Sequence, residues 1–103
     1  MISAVFSIRQ GKPRGFTIKG HSGSAESGQD IVCAAVSSAA YMAVNTVTEI
    51  LGCDVDADVD DGYMKISLCG DSDAAKDIFS GLMLHLRELS KDYPDFIRIT
   101  TEV

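Results

Sequence analysis

An almost uninterrupted apolar stretch between residues 31 and 51 constrains the fold of this 103-residue chain more than any other feature. It is about as long as a membrane span, which needs roughly 20 residues. However, it contains Asn45 and Glu49, and no basic residues flank it at a membrane interface. We therefore predict a central helix from Ile31 to Leu51, buried on most sides and ended by Gly52. Its core face carries apolar residues at helical spacing: Val32, Val36, Ala39, Ala43, Val47 and Ile50.

The segments on either side of this helix alternate between apolar and polar residues, which is typical of half-buried strands. An Asp-Gly pair in the Asp60-Asp61-Gly62 segment predicts a hairpin turn. Ser72 is a suitable N-cap for a second helix. The remaining predicted elements are strands at Ile2–Arg9, Phe16–Lys19, Asp54–Val59, Tyr63–Leu68 and Phe96–Thr100, and a helix at Asp73–Lys91. The order ββαββαβ predicts one α+β domain over residues 1–103, with two helices packed on a mixed or antiparallel sheet.

Composition narrows the functional classes. The net charge of −6 gives no basic footprint for nucleic acid, and 46% hydrophobic residues argue against disorder. No basic, apolar leader precedes the first strand, and the three cysteines form no CxxC pair of the kind that binds zinc or cycles as a dithiol. We therefore expect a cytoplasmic protein without metal or cofactor, and without direct contact to nucleic acid or membrane.

Small and polar residues fill the segment between Gly20-His21 and Asp30, and the composition turns apolar at Ile31. This change predicts a mobile loop over Ser22–Gln29 and a helix start, with Asp30 as N-cap. Cys33 would then lie in the first helical turn, where the helix dipole favours thiolate, the nucleophilic form. An imidazole such as that of His21 is the usual activator of a thiol, so the pair is a candidate nucleophile and base.

Each of these residues also has a purely structural explanation. A free cysteine such as Cys33, Cys53 or Cys69 is most often a small buried hydrophobe. His21 could be a solvated loop residue, and His85 a boundary residue of the second helix. The aspartates from Asp54 onward lack the glycine and glutamate positions of a calcium-binding loop, and the glycine-rich loop lacks the lysine of a phosphate-binding loop.

One motif is more specific than these single residues. The Gly20-His21 pair, followed by Gly28-Gln29-Asp30-Ile31-Val32-Cys33-Ala34-Ala35-Val36-Ser37, resembles the signature of the ribosomal-processing cysteine protease family, Prp. The length, the opening hairpin, the long first helix and the ββαββαβ order are also similar to that family, so the resemblance extends over most of the chain.

The resemblance implies a function. Proteins of this family are cytoplasmic bacterial endopeptidases that act as homodimers and remove a short N-terminal extension from a large-subunit ribosomal protein. By motif, His21 would be the base and Cys33 the nucleophile. Gly28, Asp30 and Ser37 match motif positions as supporting or binding residues, and Asp30 would either orient His21 or only cap the helix.

A second hypothesis, from a different class, stays open at this point. The acidic strand containing Asp54, Asp56 and Asp58 could bind a basic ribosomal protein in a non-catalytic, ribosome-associated module, with Cys33 buried. A thiol redox sensor is disfavoured, because no resolving cysteine lies near Cys33 in the sequence.

Overall fold

A computed structural model describes residues 1–20 and 27–103, and the side chains of all of these except residues 27–30. The elements are β1 (Ile2–Arg9), β2 (Lys12–Lys19), α1 (Ser27–Asn45, continued by a π-helical turn at Thr46–Ile50), β3 (Val55–Asp60), β4 (Tyr63–Leu68), α2 (Asp73–Asp92) and β5 (Ile97–Glu102). The predicted ββαββαβ order and the α+β class are confirmed. Strand β2 starts earlier than predicted, because the chain reverses within Gln10 and Gly11, both at positive φ.

The strands form a five-stranded mixed sheet in the order β3-β4-β2-β1-β5. Neighbouring strands are antiparallel except β1 and β5, which run parallel. In the antiparallel pair β2–β4, Lys19 lies opposite Tyr63. The end of β2 therefore adjoins the start of β4 and the hairpin turn that precedes it. This sheet order brings together segments that are far apart in the chain.

The core lies on one face of the sheet, where both helices pack. The register aligns the buried residues of the central strands directly: Phe6 faces Phe16, and Phe16 faces Ile66. Helix α2 adds Phe79, whose ring meets that of Phe16 edge-on with centroids 5.4 Å apart. Such aromatic pairs contribute about 0.5–1.5 kcal/mol beyond their buried area, so α2 is fixed firmly to the sheet centre.

Helix α1 differs from the prediction at its start and in its burial. It begins at Ser27 rather than Ile31, so Asp30 is a helical residue and the predicted N-cap is wrong. Ile50 was predicted in the core but is 77% exposed. The wider turn of the π segment changes the angular spacing of side chains and rotates Ile50 off the buried stripe.

The predicted burial of α1 on most sides is also wrong. Only 28% of the 18-residue window of highest hydropathy within Ile31–Ile50 is buried, although this helix is long and apolar enough to cross a membrane by those two criteria. Core helices of soluble proteins meet the same criteria. The buried side carries Val32, Val36, Ala40, Ala43 and Val47. Because the sheet and α2 cover only this side, the opposite side of α1 is left open by the residues that the structure describes.

Helix α2 and the hairpin match the sequence-based prediction. The Ser72 hydroxyl accepts a hydrogen bond from the Ala75 amide at 3.1 Å, as expected of an N-cap. The turn at Asp61-Gly62 joins β3 to β4, and Gly62 has a φ of +69°. Strand β3 is an edge strand, and its carboxylates are exposed as predicted.

Candidate active site

A cleft of about 420 Å³ opens between α1 and the end of the sheet. One wall is the side of α1 that carries Cys33, Ser37 and Tyr41, and the opposite wall is formed by residues 59–64 of the β3–β4 hairpin. Ile18 and Gly20, at the end of β2, complete the lining. The cleft thus brings together the candidate cysteine and the residue that precedes the candidate histidine.

Cys33 is partly buried and lines this cleft. The prediction that it lies in the first helical turn is wrong, since it is the seventh residue of α1. The helix dipole acts mainly within the first turn, so it contributes less to a thiolate at Cys33 than the sequence indicated. A thiolate at Cys33 would then depend more on a neighbouring imidazolium than on the helix dipole, because the positive end of the dipole is too distant.

The same shift affects the amide groups at the helix start, which a cysteine in the first turn could have used as donors to the oxyanion of the reaction. The unpaired amide groups of a helix are its first four, and those of α1 lie about 4.5–9 Å from Cys33 along the axis at 1.5 Å per residue. An oxyanion donor must come within about 3 Å of the developing charge. With Cys33 at the seventh helical residue, most of the free amides lie farther from it than they would from a cysteine in the first turn. Ser37 also lines the cleft, one helical turn beyond Cys33, and its hydroxyl is another candidate donor.

Gly20 fixes the path of the chain just before His21. Its φ is +98°, and a Cβ at this position would collide with the carbonyl oxygen of Met1. Its amide donates a hydrogen bond of 2.9 Å to the carbonyl of Gly62. Only glycine fits this combination of backbone angle and close approach, so the first glycine of the sequence motif is explained by geometry.

Residues 21–26, which include His21, lie outside the described residues. The predicted proximity of the His21 and Cys33 side chains therefore stays a prediction. The last part of the predicted loop is helical, because Ser27, Gly28 and Gln29 form the first turn of α1. Asp30 follows in the same turn. The proposed role of Asp30 in orienting His21 and the role of Gly28 remain predictions, whereas capping by Asp30 is excluded by its place inside the helix.

The structure adds residues that sequence reasoning missed. Tyr41 and the hairpin residues 59–64 line the cleft, and neither was a predicted site. The positions of Cys33, Ser37 and Tyr41 are separated by four residues each, and this regular spacing could have identified Tyr41 from the sequence. The hairpin could not have been found that way, because its position follows from the pairing of β2 with β4.

The other two cysteines have different surroundings. Cys53 packs against the core cluster. Cys69 is exposed, and its pKa is raised by partial desolvation and by the nearby carboxylates of Asp56 and Asp54. A raised pKa disfavours the nucleophilic thiolate. Within residues 1–20 and 27–103, no cluster of three or more potential ligands is arranged to hold a metal ion.

Comparisons with known proteins show the family of the chain. The profile of the family described as "Cysteine protease Prp" matches residues 1–98. The ribosomal processing cysteine protease Prp of Bacillus subtilis is 32% identical, over 93% of this chain and 95% of that protein.

Two crystal structures are similar over nearly the whole chain. One is a Streptococcus mutans protein, 35% identical with a TM-score of 0.87, covering 99% of this chain and 96% of that chain. The other is the essential ribosomal processing protease Prp of S. aureus with a covalently linked product peptide, 26% identical with a TM-score of 0.89, covering 99% and 100%. From this agreement in sequence and fold, we conclude that the chain belongs to the cysteine protease Prp family and is a cysteine protease.

Proposed function

We propose that this protein is a cytoplasmic endopeptidase that removes a short N-terminal extension from a large-subunit ribosomal protein, with Cys33 as nucleophile and His21 as base. The observation that carries the proposal is the cleft itself. It contains the partly buried Cys33, and its lining includes Gly20, which holds the chain in a fixed conformation immediately before His21.

The chemistry follows the usual course of a thiol protease. The Cys33 Sγ attacks the scissile carbonyl carbon, forming a C–S bond while the carbonyl electrons move to oxygen. His21 holds the thiol proton and passes it to the leaving amine as the C–N bond breaks. Water, deprotonated by His21, then cleaves the thioester and releases the N-terminal fragment. We propose Ser37 as the hydroxyl donor to the negatively charged oxygen of both intermediates.

The charge of the protein supports a basic substrate. Five carboxylates lie on or next to the exposed β3 edge and its turn, and within the described part of the chain none of them forms an ion pair: Asp54, Asp56, Asp58, Asp60 and Asp61. Because Asp60 and Asp61 also line the cleft, the acidic surface continues to the proposed site of cleavage. A basic ribosomal protein would be attracted to this side of the enzyme.

We also propose that the enzyme is a homodimer. The supporting observation is the open side of α1, where Ile31 is 62% exposed and Ile50 is 77% exposed. Exposed apolar side chains of this size on one helix favour association. Sedimentation of the purified protein should give twice the chain mass of 11.0 kDa. A monomer at micromolar concentration would contradict this part of the proposal.

The experiment that tests the function is incubation with the unprocessed ribosomal protein, followed by mass spectrometry. The wild type and Cys53→Ser should release a short N-terminal fragment, whereas Cys33→Ala should release none. Binding of the precursor without cleavage by any variant would instead support the non-catalytic module. Alkylation near pH 6 gives a second measurement: Cys33 should react, whereas Cys69, with its raised pKa, should not.

A further inference from the structure

Tyr41 lines the cleft although it does not belong to the hydrophobic core. It is 48% exposed, and it stands outside the core cluster that the described residues form. Its ring nevertheless belongs to the wall of the cleft that contains Cys33. An exposed aromatic residue in a substrate cleft is better explained by contact with a ligand than by the stability of the fold.

The geometry of α1 defines the distance between Tyr41 and the reacting thiol. Cys33, Ser37 and Tyr41 are separated by successive intervals of four residues, so they follow one ridge of the helix. Eight residues at 1.5 Å each place Tyr41 about 12 Å from Cys33 along the axis. An extended peptide advances about 3.3 Å per residue, so the same distance corresponds to three or four substrate residues.

The space beside this ridge is bounded on its opposite side by residues 59–64 of the hairpin, and we call this space the track. Val59 and Met64 of the hairpin face the cleft together with Val36 and Ala40 of α1, which gives the track an apolar base. The two ends of the track are lined by different residues. Cys33 lies at the end beside β2, and Tyr41 lies at the other end, one α-helical turn beyond Ser37. A peptide bound at Cys33 and extending along α1 must therefore pass Tyr41.

Resting on the proposed endopeptidase function, we infer that Tyr41 is a specificity-determining residue. Its ring packs against the substrate side chain three or four residues from the scissile bond, on one side of that bond. The contact is suited to an apolar or aromatic side chain, because the ring is large and the base of the track is apolar.

Peptide length and sequence test this inference. With a peptide of six residues on each side of the scissile bond, Tyr41→Ala should lower kcat/KM about tenfold, mainly through KM. Peptides shortened to two residues on the relevant side should be cleaved equally by the wild type and Tyr41→Ala. Replacing single substrate residues by alanine should abolish the difference at the third or fourth position of one side only.

Two further variants separate a substrate contact from a structural role. Tyr41→Phe keeps the ring and should stay within about threefold of the wild type. Leu84→Ala removes a similarly exposed side chain, 62% accessible, from α2 and should leave kcat/KM unchanged. Thermal midpoints of the Tyr41 variants should match the wild type, since the residue is not in the core.

The outcomes also distinguish this inference from the proposed function. If the wild type cleaves the long peptide and Tyr41→Ala cleaves it equally well, the inference is overturned and the endopeptidase function stands. A loss that is the same for short and long peptides would likewise overturn it, because such a loss indicates distortion of α1. If the wild type cleaves neither peptide nor precursor, the proposed function itself fails.

Discussion

The two helices pack on the same face of the sheet but are built in opposite ways. Helix α2 is amphipathic, capped by Ser72, and buries Phe79, Leu82 and Leu86 against the sheet. Its buried Lys76 pairs with Asp71 at 2.7 Å and with Asp73 at 3.5 Å. Helix α1 carries apolar residues on its exposed as well as its buried side, ends in a π-helical turn, and leaves most of its surface open.

The difference indicates a division of labour. Helix α2 has a capped N-terminus and a buried lysine that is paired within the chain, so changes there should alter stability before they alter chemistry. Helix α1 carries Cys33, Ser37 and Tyr41 on its cleft side, so changes there should alter chemistry before they alter stability. Residues that line the cleft cannot all be selected for tight packing in the core. Helix α1 also ends in a π-helical turn, a feature often found near functional sites.

The largest expected effects distinguish the two helices, because a substitution in α1 should lower turnover and one in α2 should lower stability. Cys33→Ala should lower turnover at least about 10⁴-fold, because no other group supplies the nucleophile, while the unfolding free energy changes little. Leu86→Ala should cost about 2–5 kcal/mol of stability and leave the turnover of the folded fraction unchanged. Urea unfolding and single-turnover cleavage of both variants measure the two quantities. Comparable losses of turnover in the two variants would remove the proposed division.

The two histidines offer the same comparison for proton transfer. His21→Ala should lower kcat by about 10²–10⁴-fold, the usual contribution of general acid–base catalysis. His85, exposed on α2, is the matched control, and His85→Ala should retain full activity. Steady-state kinetics with the precursor peptide would show the difference. Equal damage from both substitutions, at unchanged stability, would mean that the base has been assigned wrongly.

A smaller effect is expected at the start of α2. Ser72→Ala removes the acceptor of the Ala75 amide and should destabilise the protein by about 1 kcal/mol. The conservative change Ser72→Asp keeps an acceptor and should retain most of the stability. The measurement is the thermal midpoint, with kcat as the control quantity. A change in kcat without a change in midpoint would place α2 in the chemistry, against the comparison.

The smallest effect concerns the acid stability of α2. The hydrogen bond from Lys76, and then its charge, lower the pKa of Asp71 below its ordinary value of 3.8. A lowered folded-state pKa stabilises the protein above pH 3.8, and the contribution is lost as the pH falls through the lowered pKa. Asp71→Asn should therefore reduce the thermal midpoint slightly at pH 6 and by less near pH 2. A reduction of equal size at both pH values would exclude this ion pair as the cause.

The sequence predicted α2 more accurately than α1, and the reasons are physical. The N-cap Ser72 and Pro94, which follows the helix, are local features, and each marks a boundary of α2 that the structure confirms. The polar residues from Ser27 to Asp30 favour a loop by composition, yet they continue the helix in the fold. No local feature of Thr46–Ile50 marks a π-helical turn, so the exposure of Ile50 could not be foreseen.

The same contrast holds at the site. The motif predicts Cys33 and His21 as site residues, because the residue types and spacing of a family signature are local features of the sequence. The second wall of the cleft depends on the pairing of Lys19 with Tyr63, which is a long-range property of the sheet. Gly20 combines a local and a long-range feature. Its place in the motif is visible in the sequence, but the close approach of Met1, which requires glycine, appears only in the fold.

The most direct test of the central claim is to trap the covalent intermediate. Substrate peptide and enzyme are mixed, quenched in acid within milliseconds to seconds, and the intact protein is weighed. The account predicts a mass gain equal to the N-terminal peptide fragment minus one water, removed by hydroxylamine and located on Cys33 by fragmentation of the tryptic peptide Gly20–Lys65, which also contains Cys53. Cleavage of the same peptide at an undiminished rate by purified Cys33→Ala, or an adduct confined to Cys53 or Cys69, would contradict it.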